Sequence, residues 1–243
     1  MSMDGETIRE FCPEGRLRAA LNFGNGVLIG RDEAGRPRGI TVDLAQALAA
    51  RLGLAVDFVE MARAVDVSDT ARSGVWDLCF LAVDPKRAET IAFSEPYVQI
   101  DGCYLAGPGC DAADAGALVA SGAAVGTVVG SAYSLTLERQ EGAERLVHFP
   151  DIHAMLAALD DGAVAAVAGI GAVMAREAAA RPGARVLAPA FMSIRQAMGV
   201  PQGRPKAAAA LRAFVDEAAR SGLVGDILER HGVSRDCAVV PAS

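Results

Sequence analysis

Twice along the chain, short apolar runs alternate with longer amphipathic stretches, and this rhythm restricts the fold more than any other feature. In the first series Leu17 to Phe23, Leu54 to Val59 and Leu78 to Val83 read as strands. Between the first two, Thr41 to Leu52 sets Val42, Ala45, Leu48, Ala49 and Leu52 on one helical face. Thr41 is placed to cap that helix and Gly53 to end it. Asp32-Glu33-Ala34-Gly35 is a turn whose hairpin returns through Arg36 to Ile40. Residues 65–73 make a shorter helix closed by Gly74. Strand, helix, strand, helix, strand calls for an α/β fold, a mostly parallel sheet with helices on its faces. Ligands of such sheets gather at the carboxyl ends of the strands.

The second series opens after the extended run Val98 to Leu105, which Gly107-Pro108-Gly109 breaks. Residues 112–121 read as a helix, Ala124 to Val128 as a strand, and a helix runs from Ser131 to about Arg139. Strand Leu146–Phe149 precedes a helix capped by Asp151, on which Ile152, Met155, Leu156 and Leu159 share a face. Val164 to Ala168 is a strand, Gly171 to Ala180 a helix, and Ala184 to Leu187 another strand. Ser193 to Val200 is a return extended run, followed by helices over 205–221 and 223–231.

A chain of 243 residues with 52% hydrophobic and 22% charged content packs a core and is not disordered. Its formal charge of −7, with no basic run, argues against a nucleic-acid partner. No apolar run approaches the roughly 18 residues a spanning helix needs. Met1 to Phe11 is polar and acidic, without the charged-then-apolar plan of a secretory signal. Either a signal peptide has been removed and the protein is periplasmic, or it stays in the cytoplasm. Cys12, Cys79, Cys103, Cys110 and Cys237 form an odd set without CxxC spacing, and His148, His153 and His231 are scattered, so no metal or cofactor is expected. The cysteine count leans toward a reducing compartment, with a single pair such as Cys12 and Cys110 left open.

The candidate chemistry starts at Asp84-Pro85-Lys86-Arg87, at the mouth of the third strand. Arg87 can offer a planar fork of donors to a carboxylate and holds its charge at any working pH. Phe93-Ser94-Glu95-Pro96-Tyr97 packs behind it. Together these resemble the signature of the amino-acid-binding periplasmic solute-binding proteins, the receptors of ABC importers. In that family an arginine after a Thr-Pro-Glu-Arg-like turn holds the ligand's carboxylate. Gly39-Ile40-Thr41-Val42-Asp43-Leu44-Ala45 is similar to the family's Gly-Phe-Asp-Val-Asp-Leu-Ala, and Ser73-Gly74-Val75-Trp76-Asp77 to its Ser-Gly-x-x-Asp. Asp43 reads as a structural residue at a helix start and Trp76 as packing.

Gly126-Thr127-Val128-Val129-Gly130-Ser131-Ala132-Tyr133 is the second informative site. A strand ends, glycine permits a tight turn, and the free N–H groups of the helix start at Gly130, Ser131 and Ala132 can meet an anion. A plain serine N-cap is the competing reading. The segment resembles the family's Val-Gly-x-x-x-Gly-Ser/Thr motif. The resemblance implies a two-lobe, type II periplasmic-binding fold with two crossing strands. Lobe 1 would hold residues 1–101 and 195–243, and lobe 2 residues 102–194. It further implies a carboxylate clamped in the inter-lobe cleft by Arg87 and the Ser131 helix start, so that only the closed form gains the full binding energy.

Several departures bear on the ligand. The family's Gly-x-Val-Asp-Ala stretch, whose aspartate holds the ligand's ammonium, reads Gly162-Ala163-Val164-Ala165-Ala166 here. Ala165 supplies no carboxylate, so the ligand lacks an ordinary α-ammonium, or Asp84 or Asp160 substitutes. Asn22, Phe23 and Asn25 in the first glycine-rich loop, and Gln196 in the return run, are further ligand candidates, with Met61 and Arg63 as wall residues. The expected function is non-catalytic binding of a small carboxylate or amino-acid-like solute, with an ABC permease as partner and a monomer as the default state. The alternatives are a cytoplasmic ligand sensor or orphan binding protein, and an enzyme resembling cyclohexadienyl dehydratase.

Overall fold

A computed structural model describes residues 4–240; Met1–Met3 of the polar start and the last three residues lie outside it. The described chain divides into two compact units, one made of residues up to Gln99 with those from Arg195 on, the other of Ile100–Ile194.

The first unit runs α1 (Gly5–Phe11), β1 (Leu17–Asn22), a small antiparallel pair β2 (Gly30–Arg31) and β3 (Pro37–Arg38), α2 (Ile40–Leu52), β4 (Val56–Met61), α3 (Ala64–Asp69), β5 (Leu78–Ala82) and α4 (Pro85–Ala88). It then leaves through β6 (Ile91–Ala106). β1 is central and parallel to both neighbours, with Leu17 to Asn22 beside Val56 to Met61 and Ala19 beside Leu78. Every residue of β5 is buried. A strand covered on both faces reads as an unbroken apolar run, which is why Leu78 to Ala82 does not alternate.

Two expectations change here, and one helix is new. α2 begins one residue earlier, with Gly39 rather than Thr41 at its N-cap position and no side-chain cap. Gly39 has φ +153°, and a Cβ there would lie 2.5 Å from the Leu28 carbonyl oxygen, so close approach dictates the residue. Thr41 is buried in the first turn with its hydroxyl 3.5 Å from that same carbonyl. Met1 to Phe11 contains α1, capped by Asp4, whose carboxylate accepts from the Thr7 N–H at 2.7 Å. β4 starts two residues later than its apolar run suggests.

Asp77, just ahead of β5, is fully buried and ties the amino end of the sheet together. It receives a two-pronged contact from Arg18 at 2.8 and 3.0 Å and a third bond from Arg204 at 2.8 Å. Trp76 beside it is also fully buried, and its indole N–H donates to the Val67 carbonyl at 3.2 Å and the Thr70 hydroxyl at 3.1 Å. The packing role read from the sequence is the role Trp76 has.

The second unit continues with α5 (Ala115–Ser121), β7 (Val125–Val128), α6 (Ala132–Leu137), β8 (Leu146–Phe149), α7 (Ile152–Asp160), β9 (Ala166–Ile170) and α8 (Gly171–Ala179). The long strand β10 (Arg185–Pro201) merges the two extended runs expected over 184–187 and 193–200, and returns to the first unit. β7 lies between β8 and β9, all parallel, and Gly102–Ala106 of β6 runs antiparallel to β9. Gly126 of β7 leaves room for Phe149, Val167 and Met155, which a Cβ would meet at 3.1–3.2 Å. Back in the first unit, Gln196 to Gly199 of β10 run antiparallel to β5. Helices α9 (Pro205–Arg220) and α10 (Leu223–Arg230) complete that unit. The five cysteines carry no disulfide.

Candidate functional site

The carboxyl ends of β1, β4 and β5 lie side by side in the first unit. Asn22 is in register with Met61, and the Phe23 N–H donates to the Met61 carbonyl at 2.9 Å. The loop beyond β1 is shaped by its own asparagines. The Asn22 Oδ1 accepts from the Gly24 N–H at 3.0 Å, and the Asn25 Oδ1 from the Val27 N–H at 3.3 Å. Both are turn formers, the competing role for loop asparagines. Asn25 is buried, and the Phe23 ring carries the Arg31 guanidinium 4.3 Å from its centroid. Arg63 is taken up by Asp66 in a capping box at the start of α3.

β5 gives way to α4 through Val83 and Asp84. Val83 is 45% exposed although the five residues before it are buried. Asp84 caps α4 by accepting from the Lys86 N–H at 2.9 Å, and Pro85 takes the first helical position, where its missing N–H costs nothing. This short helix turns Arg87 back onto the strand it follows. The Arg87 Nη1 donates to the Ala82 carbonyl at 3.0 Å, and the side chain is buried. Burial pulls the guanidinium down from its usual range, and the Asp84 charge holds it up. Gln196 of β10, also buried, is in register with Ala82. Arg87, Asp84 and Gln196 therefore gather at one strand end.

In the second unit β7 passes through Val129 and Gly130 into α6. Gly130 has φ +67°, which makes the tight turn. Ser131 is the N-cap, its hydroxyl accepting from the Ser134 N–H at 3.1 Å. Tyr133 lies against the Ser131 hydroxyl, and burial pushes its phenol up to about 12. Val129 is 41% exposed, as Val83 is in the first unit. Asp151, at the exit of β8, caps α7 by accepting from the Ala154 N–H at 2.9 Å.

Two of the sequence assignments sit elsewhere. Ala165 lies just before β9, where its N–H donates to the Ala124 carbonyl, at the opposite end of the strand from the exit. The residue at the carboxyl end of β9 is Ile170, which heads α8 with no side-chain cap. Counting the strand through to its far end, rather than stopping at the motif, would have found it. Asp160 is paired with Arg181 at 2.7 Å at the end of α7. Among the described residues no group of three His, Cys, Asp or Glu side chains could hold a metal ion.

This arrangement of strand exits belongs to a known class. Residues 28–234 match the family described as bacterial extracellular solute-binding proteins, family 3, and the chain belongs to that family. The fold is that of the type II periplasmic-binding proteins. A solute receptor for L-cysteine of Neisseria gonorrhoeae superposes with a TM-score of 0.80 at 19% identity, covering 97% of this chain and 99% of that one. A variant of ArgBP from T. maritima gives 0.77 at 21% identity over 93% and 99%. The ancestral amino acid-binding protein AncCDT-1, a precursor of cyclohexadienyl dehydratase, gives 0.76 at 20% identity over 92% and 98%. No curated protein matches by sequence. Among the described residues no helix is long and apolar enough to cross a membrane.

Proposed function

We propose that this solute-binding protein takes up a small carboxylate without an α-ammonium group, without chemistry, as the periplasmic receptor of an ABC importer. Arg87 and Gln196 of the first unit would meet the ligand, with the Asn22–Asn25 loop beside them. The helix start at Gly130, Ser131 and Ala132 is the anion-binding candidate of the second unit. The protein would act as a monomer and hand its cargo to a permease.

One observation carries the absence of the ammonium. The carboxylates at the strand exits, Asp84 and Asp151, are each engaged as helix caps, and the exit of β9 presents Ile170. A cationic group placed at the exit of β9 would be desolvated against Ile170, a side chain that offers it no charge, at a cost of several kcal/mol. The exposed Val83 at the β5 exit favours an acid with an apolar body.

A thermal-shift panel tests this, because a specific binder raises Tm by mass action. Each α-amino acid is paired with the acid that lacks its amino group. The deaminated partners should raise Tm and the amino acids should not. Tight binding of a common α-amino acid, unaffected by Asp84→Ala, would contradict the proposal. Incubation with prephenate, followed by ultraviolet absorbance of phenylpyruvate, tests the enzymatic alternative and should give no product.

A further inference from the structure

The second unit also carries an open surface pocket of about 660 Å³, away from the Ser131 helix start. One wall is α5, which ends just before β7 begins, and the other is the turn over residues 140–145, which leads into β8. The cavity therefore sits at the amino ends of β7 and β8, whereas Ser131 follows the carboxyl end of β7.

Its lining combines ring faces with a guanidinium. Tyr104 and Phe191 stack with centroids 4.4 Å apart and planes tilted by 30°. Val119 on α5 is 38% exposed, an apolar side chain left partly in water. Arg145 is folded inward, with 17% of its side chain exposed, and its Nη1 donates to the Val119 carbonyl. Gly142 has no side chain where that guanidinium lies, and its φ of +89° suits glycine. Two carboxylates belong to the rim. Glu141 is exposed, and Glu144 is 77% exposed with its Oε1 3.7 Å from the Arg145 Nε. Exposed charges are screened and count for little. Arg145 acts on the ring beside it: burial raises the Tyr104 phenol, and the Arg145 charge opposes that rise.

We propose that this cavity is a second small-molecule site, specific for a planar aryl carboxylate. The ring would lie on Phe191, which Tyr104 backs from the core, against Val119, and the acid group would meet Arg145. Such a site is independent of Arg87 and Ser131, so it stands whether or not the solute-site reading does.

Titrating the isotope-labelled full chain with phenylacetate, followed by amide chemical shifts, tests it. Saturable shifts should cluster in 115–122 and 140–145. Phenylacetamide and phenethylamine should bind at least fivefold more weakly, and Arg145→Gln should weaken phenylacetate to a similar degree. Ala120→Trp, at an exposed lining position, should abolish the shifts without touching the Arg145 contact, and Arg87→Met should leave them unchanged. No saturable shift, equal binding of the amine, or shifts centred on 84–87 and 130–132 that vanish in Arg87→Met would overturn the proposal.

Discussion

Arg87 and Gln196 converge on one backbone residue. The Arg87 Nη1 donates to the Ala82 carbonyl at 3.0 Å, and Gln196 faces Ala82 across the β5–β10 pair. They are 109 positions apart in sequence, yet β10 returns to lie against the strand that Arg87 follows. A guanidinium fixed by a carbonyl and its strand has lost most of its rotamer freedom before any ligand arrives, and preorganisation of this kind lowers the entropic cost of binding.

Asp151 separates the capping reading from a ligand-binding one. Its carboxylate accepts from the Ala154 N–H at 2.9 Å. Asp151→Ala should cost about 1 kcal/mol of stability in a urea titration. Calorimetry of the same variant should show unchanged affinity for the preferred carboxylate.

Asp77 is a structural anchor far from the strand exits. It is fully buried and accepts from both Arg18 and Arg204. Asp77→Ala leaves two guanidinium groups facing a gap, a loss of about 3–5 kcal/mol. Denaturant unfolding measures it, and molecules that remain folded should bind ligand as before.

Gly39 holds the start of α2 against Leu28. With φ at +153° and the Leu28 carbonyl oxygen 2.5 Å from where a Cβ would sit, Gly39→Ala combines backbone strain with overpacking. A loss of at least about 2 kcal/mol follows, read as a lower urea midpoint.

Trp76, the single tryptophan, lies wholly inside the first unit with its N–H satisfied twice. Its fluorescence should report unfolding sharply and respond little to ligand. A large emission shift on saturation would return Trp76 to the ligand site.

Much of this architecture could be read from residue order. The apolar runs at Leu146–Phe149 and Leu78–Val83 coincide with β8 and β5 to within a residue, because short strands flanked by turns leave a clear pattern. Asp151 as a cap and Gly53 as a helix stop were legible for the same reason: each is a local effect. The failures are tertiary. Gly39 replaced Thr41 at the α2 start because of a carbonyl from a distant loop, which no local preference encodes. Ala165 was assigned from a motif, while the strand it opens runs on to Ile170. α1 was missed because its acidic, polar face obscured Thr7 and Phe11, which are buried on the other. At the candidate site, residue types and strand exits were visible in sequence. The inward turn of Arg87 onto Ala82, the capping by Asp84 and the Asn22 bond to the Gly24 N–H depend on coordinates.

The most direct test is calorimetric titration of Arg87→Met against the wild type with the best carboxylate from the panel. Leaving a buried carboxylate unpaired costs about 2–5 kcal/mol, so affinity should fall roughly thirtyfold or more. Circular dichroism should show the variant still folded. Unchanged affinity in a folded Arg87→Met protein would contradict the central claim that this guanidinium holds the ligand's acid group.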